Sequence, residues 1–274
     1  MQIMVTTPWQ LLMFQKTLKK KMRLNALTHH LGHPDEKSQC VLITCGDNNG
    51  AMNYYLRSLG GSWSWGDLEE KSLPEMTELL GDPVQHVSHH SLPFEDDTFD
   101  YVVSIDVLEH LEDPSPFMRE MKRIASSGAK IIVTVPNGDE KKLATRIKNL
   151  VGMTKDKYGH VRDGYTLPGL RSLFLDHEIQ PGDSSSFSGF FTEMLELSIN
   201  FVYVNILSKK GEEPVSKGTI APSTGKQLQS VNKTYRIYSI LYPLFYWISK
   251  LDQLIPFTIG YVVVLEGRKG CARA

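Results

Sequence analysis

Residues 41–52 read VLITCGDNNGAM. An apolar run ends at Cys45, Gly46 and Gly50 bracket three polar residues, and AMNYYLRSLG follows over 51–60. This is the order of a buried strand, a glycine turn and a helix closed by a further glycine. Such a turn aims backbone N–H groups and a helix N-terminus at one point, which suits a nucleotide or another anionic ligand. The stretch has two glycines where a binding loop often has three, so the rest of the chain must say whether it still holds a ligand.

Strand and helix patterns alternate on the C-terminal side. Apolar or β-branched runs at 40–45, 62–65, 84–88, 99–105 and 129–136 read as strands. The segments 51–60, 73–81 and PSPFMREMKRIA (114–125) read as helices between them. This alternation predicts an α/β fold with a mostly parallel sheet and helices on both faces. Beyond residue 140, helices are expected at 141–152, 167–177 and 190–210, then a linker at 211–226. An aromatic-rich helix follows over 235–257, interrupted at Pro243, and IGYVVVLEGRK (259–269) reads as a last strand. On the N-terminal side, residues 8–31 read as one amphipathic helix. Trp9, Leu12, Met13, Phe14, Leu18, Met22 and Leu27 form its apolar stripe, and Lys16, Lys19, Lys20, Lys21 and Arg23 crowd its middle, which reads as a solvated basic face on a helix packed against the core.

The chain has 274 residues, 41% hydrophobic and 22% charged, with a formal net charge of −1. It can bury a large core, and the near-zero charge gives no support for nucleic acid as a partner. Cys40, Cys45 and Cys271 are too few and too far apart for a disulfide framework or a zinc motif. The first residues lack the order of a secretory signal, and no run is long and apolar enough to span a bilayer. The cytoplasm is the expected compartment.

The most specific stretch is LPFEDDTFDYVVSIDVLEHLEDP (92–114), with AKIIVTVPNG after it. Together with the glycine turn it resembles the class I S-adenosylmethionine-dependent methyltransferases. The similarity is to the small-molecule branch that includes the ubiquinone and menaquinone enzymes. The resemblance implies a Rossmann-like seven-stranded sheet whose last strand is antiparallel, and S-adenosylmethionine lying across the carboxyl ends of the strands, where open α/β sheets bind ligands.

On this resemblance the family's acidic-x-Gly-x-Gly-x-Gly falls on Thr44, Gly46, Asn48 and Gly50. Asn48 replaces the middle glycine and tolerates positive φ better than most residues. Thr44 replaces a carboxylate, and Asp47 is a candidate to supply one. The resemblance places Asp67 on the ribose hydroxyls, with Leu68 beside it. Glu69 is the alternative ribose ligand, and a helix N-cap is the other reading of Asp67. Ser88 and His89 stand where the family contacts adenine, and Asp106, Val107 and Leu108 are expected to line the cofactor at the end of the fourth strand. The substitutions at Thr44, Asn48 and Ser88 also admit a rival: a non-catalytic scaffold protein on the same fold with a degenerate loop.

Methyl transfer needs an acceptor aligned with an activated methyl, and an oxygen acceptor gains from a general base. His110, one helical turn past Asp106, and His160 in YGHVRDGY are the candidates. Tyr158, Arg162 and Tyr165 would suit a phosphate or a sugar. The groups His86, His89, His90 and His29, His30, His33 lack partners at metal spacing, so no metal is expected. The expected organisation is an N-terminal helix (1–37), a cofactor-binding core (38–186 and 258–270) and a helical insertion (187–257). The insertion reads as a cap over an apolar acceptor pocket, or as a surface meeting the inner membrane face. An ordinary helical subdomain or dimer contact is the third reading. The function expected is O- or C-methylation of a small apolar or lipid-linked acceptor.

Overall fold

The computed structural model describes residues 7–46, 48–202, 225–255 and 258–270. Seven strands form one sheet: β1 (Gln39–Thr44), β2 (Ser62–Asp67), β3 (Val84–His86), β4 (Phe99–Ile105), β5 (Ala125–Pro136), β6 (Ile179–Phe187) and β7 (Val262–Lys269). Their order is β3-β2-β1-β4-β5-β7-β6. Strands β1 to β5 pair in parallel, and β7 runs antiparallel to both β5 and β6. The chain reverses its lateral direction at β1 and β4, and the carboxyl ends of those strands form the crevice where ligands are expected.

Side chains alternate across the strands and build one core on each face. Val41, Ile43, Val102 and Ile131 pack with Phe117, Met118, Met121 and Phe174, from helices α5 (Ser115–Ile124) and α7 (Leu167–Asp176). Leu42, Val103 and Ile132 pack on the other face with Leu27, Met52, Leu56 and Met76. Those come from α2 (Leu18–Leu31), α3 (Ala51–Arg57) and α4 (Leu73–Leu80).

Three elements differ from the sequence expectation. The expected N-terminal helix is two helices, α1 (Trp9–Phe14) and α2, because Thr17 is extended and its hydroxyl donates to the Met13 carbonyl at 3.0 Å. Strand β6, IQPGDSSSF, was not legible as a strand: it lies at the sheet edge, pairs only with β7, and its register shifts between Pro181 and Ser184. Helix α9 (Gly225–Lys250) runs through Pro243 without stopping. Of the expected helix 190–210, α8 (Phe190–Val202) is described; residues 203–210 and nearly all the expected linker lie outside the described residues.

The N-terminal helices and the insertion together roof the crevice. His30 of α2 is buried against Glu266 (3.0 Å) and Ser185 (2.8 Å), so it anchors the helix to the sheet. The hydroxyls of Tyr235 and Tyr238 on α9 donate to the carbonyls of Leu12 and Lys16. The Asp252 carboxylate accepts from the backbone N–H groups of Gly189, Phe191 and Thr192, capping the start of α8. Buried Glu193 of α8 joins the roof to its walls, pairing with Lys19 of α2 (2.6 Å) and with Lys148 (2.5 Å) of α6 (Leu143–Leu150). Burial alone would raise its pKa, but Lys148 and Lys19 hold it well below the usual carboxylate range. A lowered carboxylate contributes stability above its unfolded pKa and loses it as pH falls through the folded value. Glu193→Gln is therefore expected to cost about 3 kcal/mol in a denaturant titration at pH 7, and to fall less steeply than wild type below about pH 4.3.

Candidate active site

The turn after β1 is held from beneath by one carboxylate. Asp67, at the tip of β2, has no exposed surface. It accepts from the Thr44 hydroxyl (2.5 Å), the Gly46 N–H (2.9 Å) and the Glu69 N–H (2.8 Å). Burial raises its pKa, and these bonds from Thr44, Glu69 and Gly46 oppose the rise. So placed, Asp67 ties the end of β1 and the Gly46 turn to the end of β2. Glu69 is exposed instead, and its carboxylate lies where a side chain on Gly46 would be, 2.6 Å from that ideal Cβ. Gly46 and Gly50 have φ of +69° and +86°, so glycine is required at both.

The Asn48 side chain serves the loop by hydrogen bonding: the amide donates to Asn53 (2.5 Å) and Thr44 (3.5 Å), and its oxygen accepts from the Gly50 N–H (3.1 Å). Thr44 thus exchanges a lost charge for a place in a buried network, Asp67–Thr44–Asn48–Asn53. Asp47 lies outside the described residues.

Above this loop, α2 lowers Lys20 and Arg23 toward the strand ends. Arg23 forms an ion pair with Asp106, whose φ is +50° and whose other oxygen accepts from Thr134 (3.3 Å). A small cavity of about 20 Å³ remains between Lys20, Arg23, Thr44, Asn48, Met52 and Asp106. Val107 and Leu108, at the end of β4, are fully buried in the core. Leu68 packs against the same cluster. Ser88 and His89 sit on the turn after β3, where the Ser88 hydroxyl accepts from His90 N–H (3.2 Å) and the His89 and His90 rings lie 3.9 Å apart. Neither lines a cavity described here.

A larger cavity of about 230 Å³ lies on the β5 side and shares Lys20, Arg23 and Asp106 with the small one. Its wall includes Glu109, Lys148, Tyr158, His160, Glu193 and Tyr261. Its wall is mixed, with these charged and polar groups beside Pro136, Met153 and Val262. His110 and His160 meet edge to face with ring centroids 4.8 Å apart. Burial, and then His110, push the His160 pKa down to about 4, so its ring is neutral at pH 7. Burial pushes the Tyr158 phenol up to about 12. Arg162 is structural: it donates to the carbonyls of Leu111 (2.7 Å) and Glu112 (2.8 Å) and lies over Tyr165. Glu109, His110 and His160 each place a ligand-type atom within 4.8 Å of the others.

The wall chemistry fits S-adenosylmethionine. An amino-acid zwitterion finds a carboxylate and a guanidinium side by side in Asp106 and Arg23, and Glu69 offers an acceptor pair for vicinal hydroxyls over Gly46. The sequence signal missed for Arg23 was its place in a lysine-rich run read as a solvated face. Glu109 and Glu193 went unnoticed because charged residues are seldom fully buried. Asp67→Asn sets an amide against three donors and is expected to cost about 2–4 kcal/mol of stability. Glu69→Gln is expected to stay within about 0.5 kcal/mol of wild type; paired urea titrations separate the two roles.

Residues 42–133 match a family model described as a methyltransferase domain. Ajmaline N-methyltransferase from Rauvolfia serpentina is 52% identical over 42 residues, 15% of this chain and 14% of that enzyme. Norajmaline N-methyltransferase from the same plant is 46% identical over 43 residues. The chain therefore spans about a seventh of the length of these curated relatives. Among solved structures, a candidate sarcosine dimethylglycine methyltransferase from Galdieria sulphuraria aligns with a TM-score of 0.56 and 15% identity, over 92% of this chain and 86% of that one. The [4+2]-cyclase SpnF aligns with a TM-score of 0.56 and 12% identity, over 92% and 82%. Geranyl diphosphate C-methyltransferase from Streptomyces coelicolor A3(2), solved with S-adenosylhomocysteine, Mg2+ and geranyl diphosphate, aligns at 0.53 and 11%, over 91% and 76%. At these identities the structures speak for the fold. Residues 42–133 thus carry the sequence pattern of a methyltransferase domain, and the chain has the fold of these solved methyltransferase structures.

Proposed function

We propose that this protein transfers the methyl group of S-adenosylmethionine to an oxygen on the polar head of a lipid-linked acceptor at a membrane surface. The observation that carries the reading is the meeting of the two cavities at the Arg23–Asp106 pair. Methyl transfer needs a cofactor side and an acceptor side facing each other across a short gap. The strand-end loop, with both required glycines in place, forms the first. The charged cavity forms the second.

When bound, S-adenosylmethionine supplies an electrophilic methyl on a sulfonium. The chain supplies position. Glu69 receives the ribose hydroxyls, Arg23 a carboxylate and Asp106 an ammonium, so that the Arg23–Asp106 pair is exchanged for contacts with a zwitterion. Ser88 and His89 are the candidates for the adenine edge. His110 and His160 face the acceptor and serve its activation. A charged cavity fits a phosphate or a sugar better than an alkyl chain, so the head of the acceptor is polar.

The apolar part of the acceptor is matched outside the cavity. Among the described residues, no helix is long and apolar enough to cross a membrane. Yet α9 and the turn after it expose Ile237, Ile240, Leu244, Trp247, Leu251 and Leu254, with Ile240 77%, Trp247 70% and Leu254 74% accessible. The spacing of three and four makes one stripe along the helix. Arg236 and Lys250 are exposed on the same helix, a composition suited to lying in an anionic interface.

The test supplies methyl-labelled S-adenosylmethionine with anionic liposomes carrying a membrane lipid extract. Label is expected in the lipid phase, with at least a ~10-fold loss for a Leu244→Ser, Trp247→Ser double variant, about 1.4 kcal/mol. Transfer to water-soluble acceptors alone, unaffected by the double variant, would contradict the membrane reading. No transfer to any acceptor would favour the scaffold alternative.

A further inference from the structure

Glu109, His110 and His160 come from two places in the chain, the turn after β4 and the segment after α6; Glu109 and His160 line the larger cavity, and His110 stands against His160. We infer that these three side chains bind a divalent first-row transition-metal ion. Two imidazoles and one carboxylate on one side of a cavity leave positions open for further ligands, the donor set suited to Mn2+, Fe2+ or Zn2+. Ligand atoms about 2.1 Å from a common ion stand roughly 3–3.5 Å apart. The three donors lie within 4.8 Å of one another, so small side-chain rotations bring them together.

The surroundings have the features of a site held ready. The His110 Nδ1 donates to the Gly159 carbonyl at 3.2 Å, which fixes the tautomer and leaves the Nε2 lone pair for a ligand. Metal-binding histidines are oriented in this way by a carbonyl or carboxylate on the other ring nitrogen. The segment that carries His160 is tied to the residue that supplies the carboxylate: the N–H of Val161 donates to the Glu109 carbonyl at 2.9 Å. Arg162 fastens the same segment to the carbonyls of Leu111 and Glu112. Gly164 completes the clamp, because a Cβ there would lie 2.0 Å from the Pro136 carbonyl oxygen. Of the cations around the cavity, Arg23 pairs with Asp106, and Lys19 and Lys148 share the carboxylate of Glu193.

The site's existence stands on this geometry alone. Its role rests on the oxygen-acceptor reading above: the ion holds an acceptor hydroxyl and eases loss of its proton to solvent.

The full chain, stripped with chelator and free of cofactor and acceptor, is titrated with Mn2+ followed by water-proton relaxation and with Co2+ followed by visible absorption. About one saturable equivalent is expected. His110→Gln and His160→Gln are each expected to weaken it at least ~10-fold, the scale of losses seen when metal-site partners are removed, while His86→Gln leaves it unchanged. Circular dichroism checks that each variant is folded. Glu109→Gln is added as a third variant, and the two partly exposed histidines decide the matter should it fail to fold. No saturable binding, or variants that bind like wild type, would overturn the inference. Saturable metal binding by a protein that transfers no methyl group would sink the functional reading and leave the metal site standing.

Discussion

The ion pair between Arg23 and Asp106 is where the parts of this molecule meet. Asp106 ends β4 in a left-handed conformation that aims its carboxylate across the crevice. Arg23 reaches it from α2, a helix seated on the sheet by buried His30 and tied to the insertion through Lys19 and Glu193. The two cavities share this one wall. A partly buried pair of this kind is held by geometry more than by net energy, because desolvation offsets much of the attraction. That balance lets an incoming zwitterion replace it at little cost.

Three buried carboxylates set the frame around that pair. Asp67 fixes the loop after β1 through three hydrogen bonds. Glu193 closes the roof between α2 and α6. Glu109 stands between two histidines that are distant in the sequence. Each lies where elements from different parts of the chain must agree in position, and each would be costly to leave without its partners. The apolar cores on the two sheet faces supply most of the stability and none of this precision.

The sheet was legible because buried parallel strands are rich in apolar and β-branched residues, as VLIT, FDYVVSI and AKIIVTVP are. Strand β6 was not, because an edge strand tolerates Pro, Gly and Ser, which read as loop. Gly46, Gly50 and Asp106 announced themselves through motif spacing. Motif position singled out Asp67, but its bonds from the Thr44 hydroxyl and the Gly46 N–H come from another strand and its turn and leave no local signal. Asn48 was marked by its place in the glycine pattern, and its side-chain bonds to Asn53 and the Gly50 N–H add to that reading. The lysine-rich face of α2 read as solvated, yet Lys19, Lys21 and Arg23 bind Glu193, Tyr242 and Asp106. Partners so remote in sequence leave no local signal.

The central claim is that Arg23 and Asp106 form the cofactor's amino-acid subsite as well as the wall between cavities. Calorimetric titration with S-adenosylhomocysteine of wild type, Arg23→Ala and Asp106→Asn tests it directly. The account predicts saturable binding by wild type and a loss of at least ~10-fold in each variant, about 1.4 kcal/mol or more for a charge-assisted hydrogen bond removed. Tighter binding by Arg23→Ala would contradict it, because α2 would then be a plug over the loop rather than part of the site.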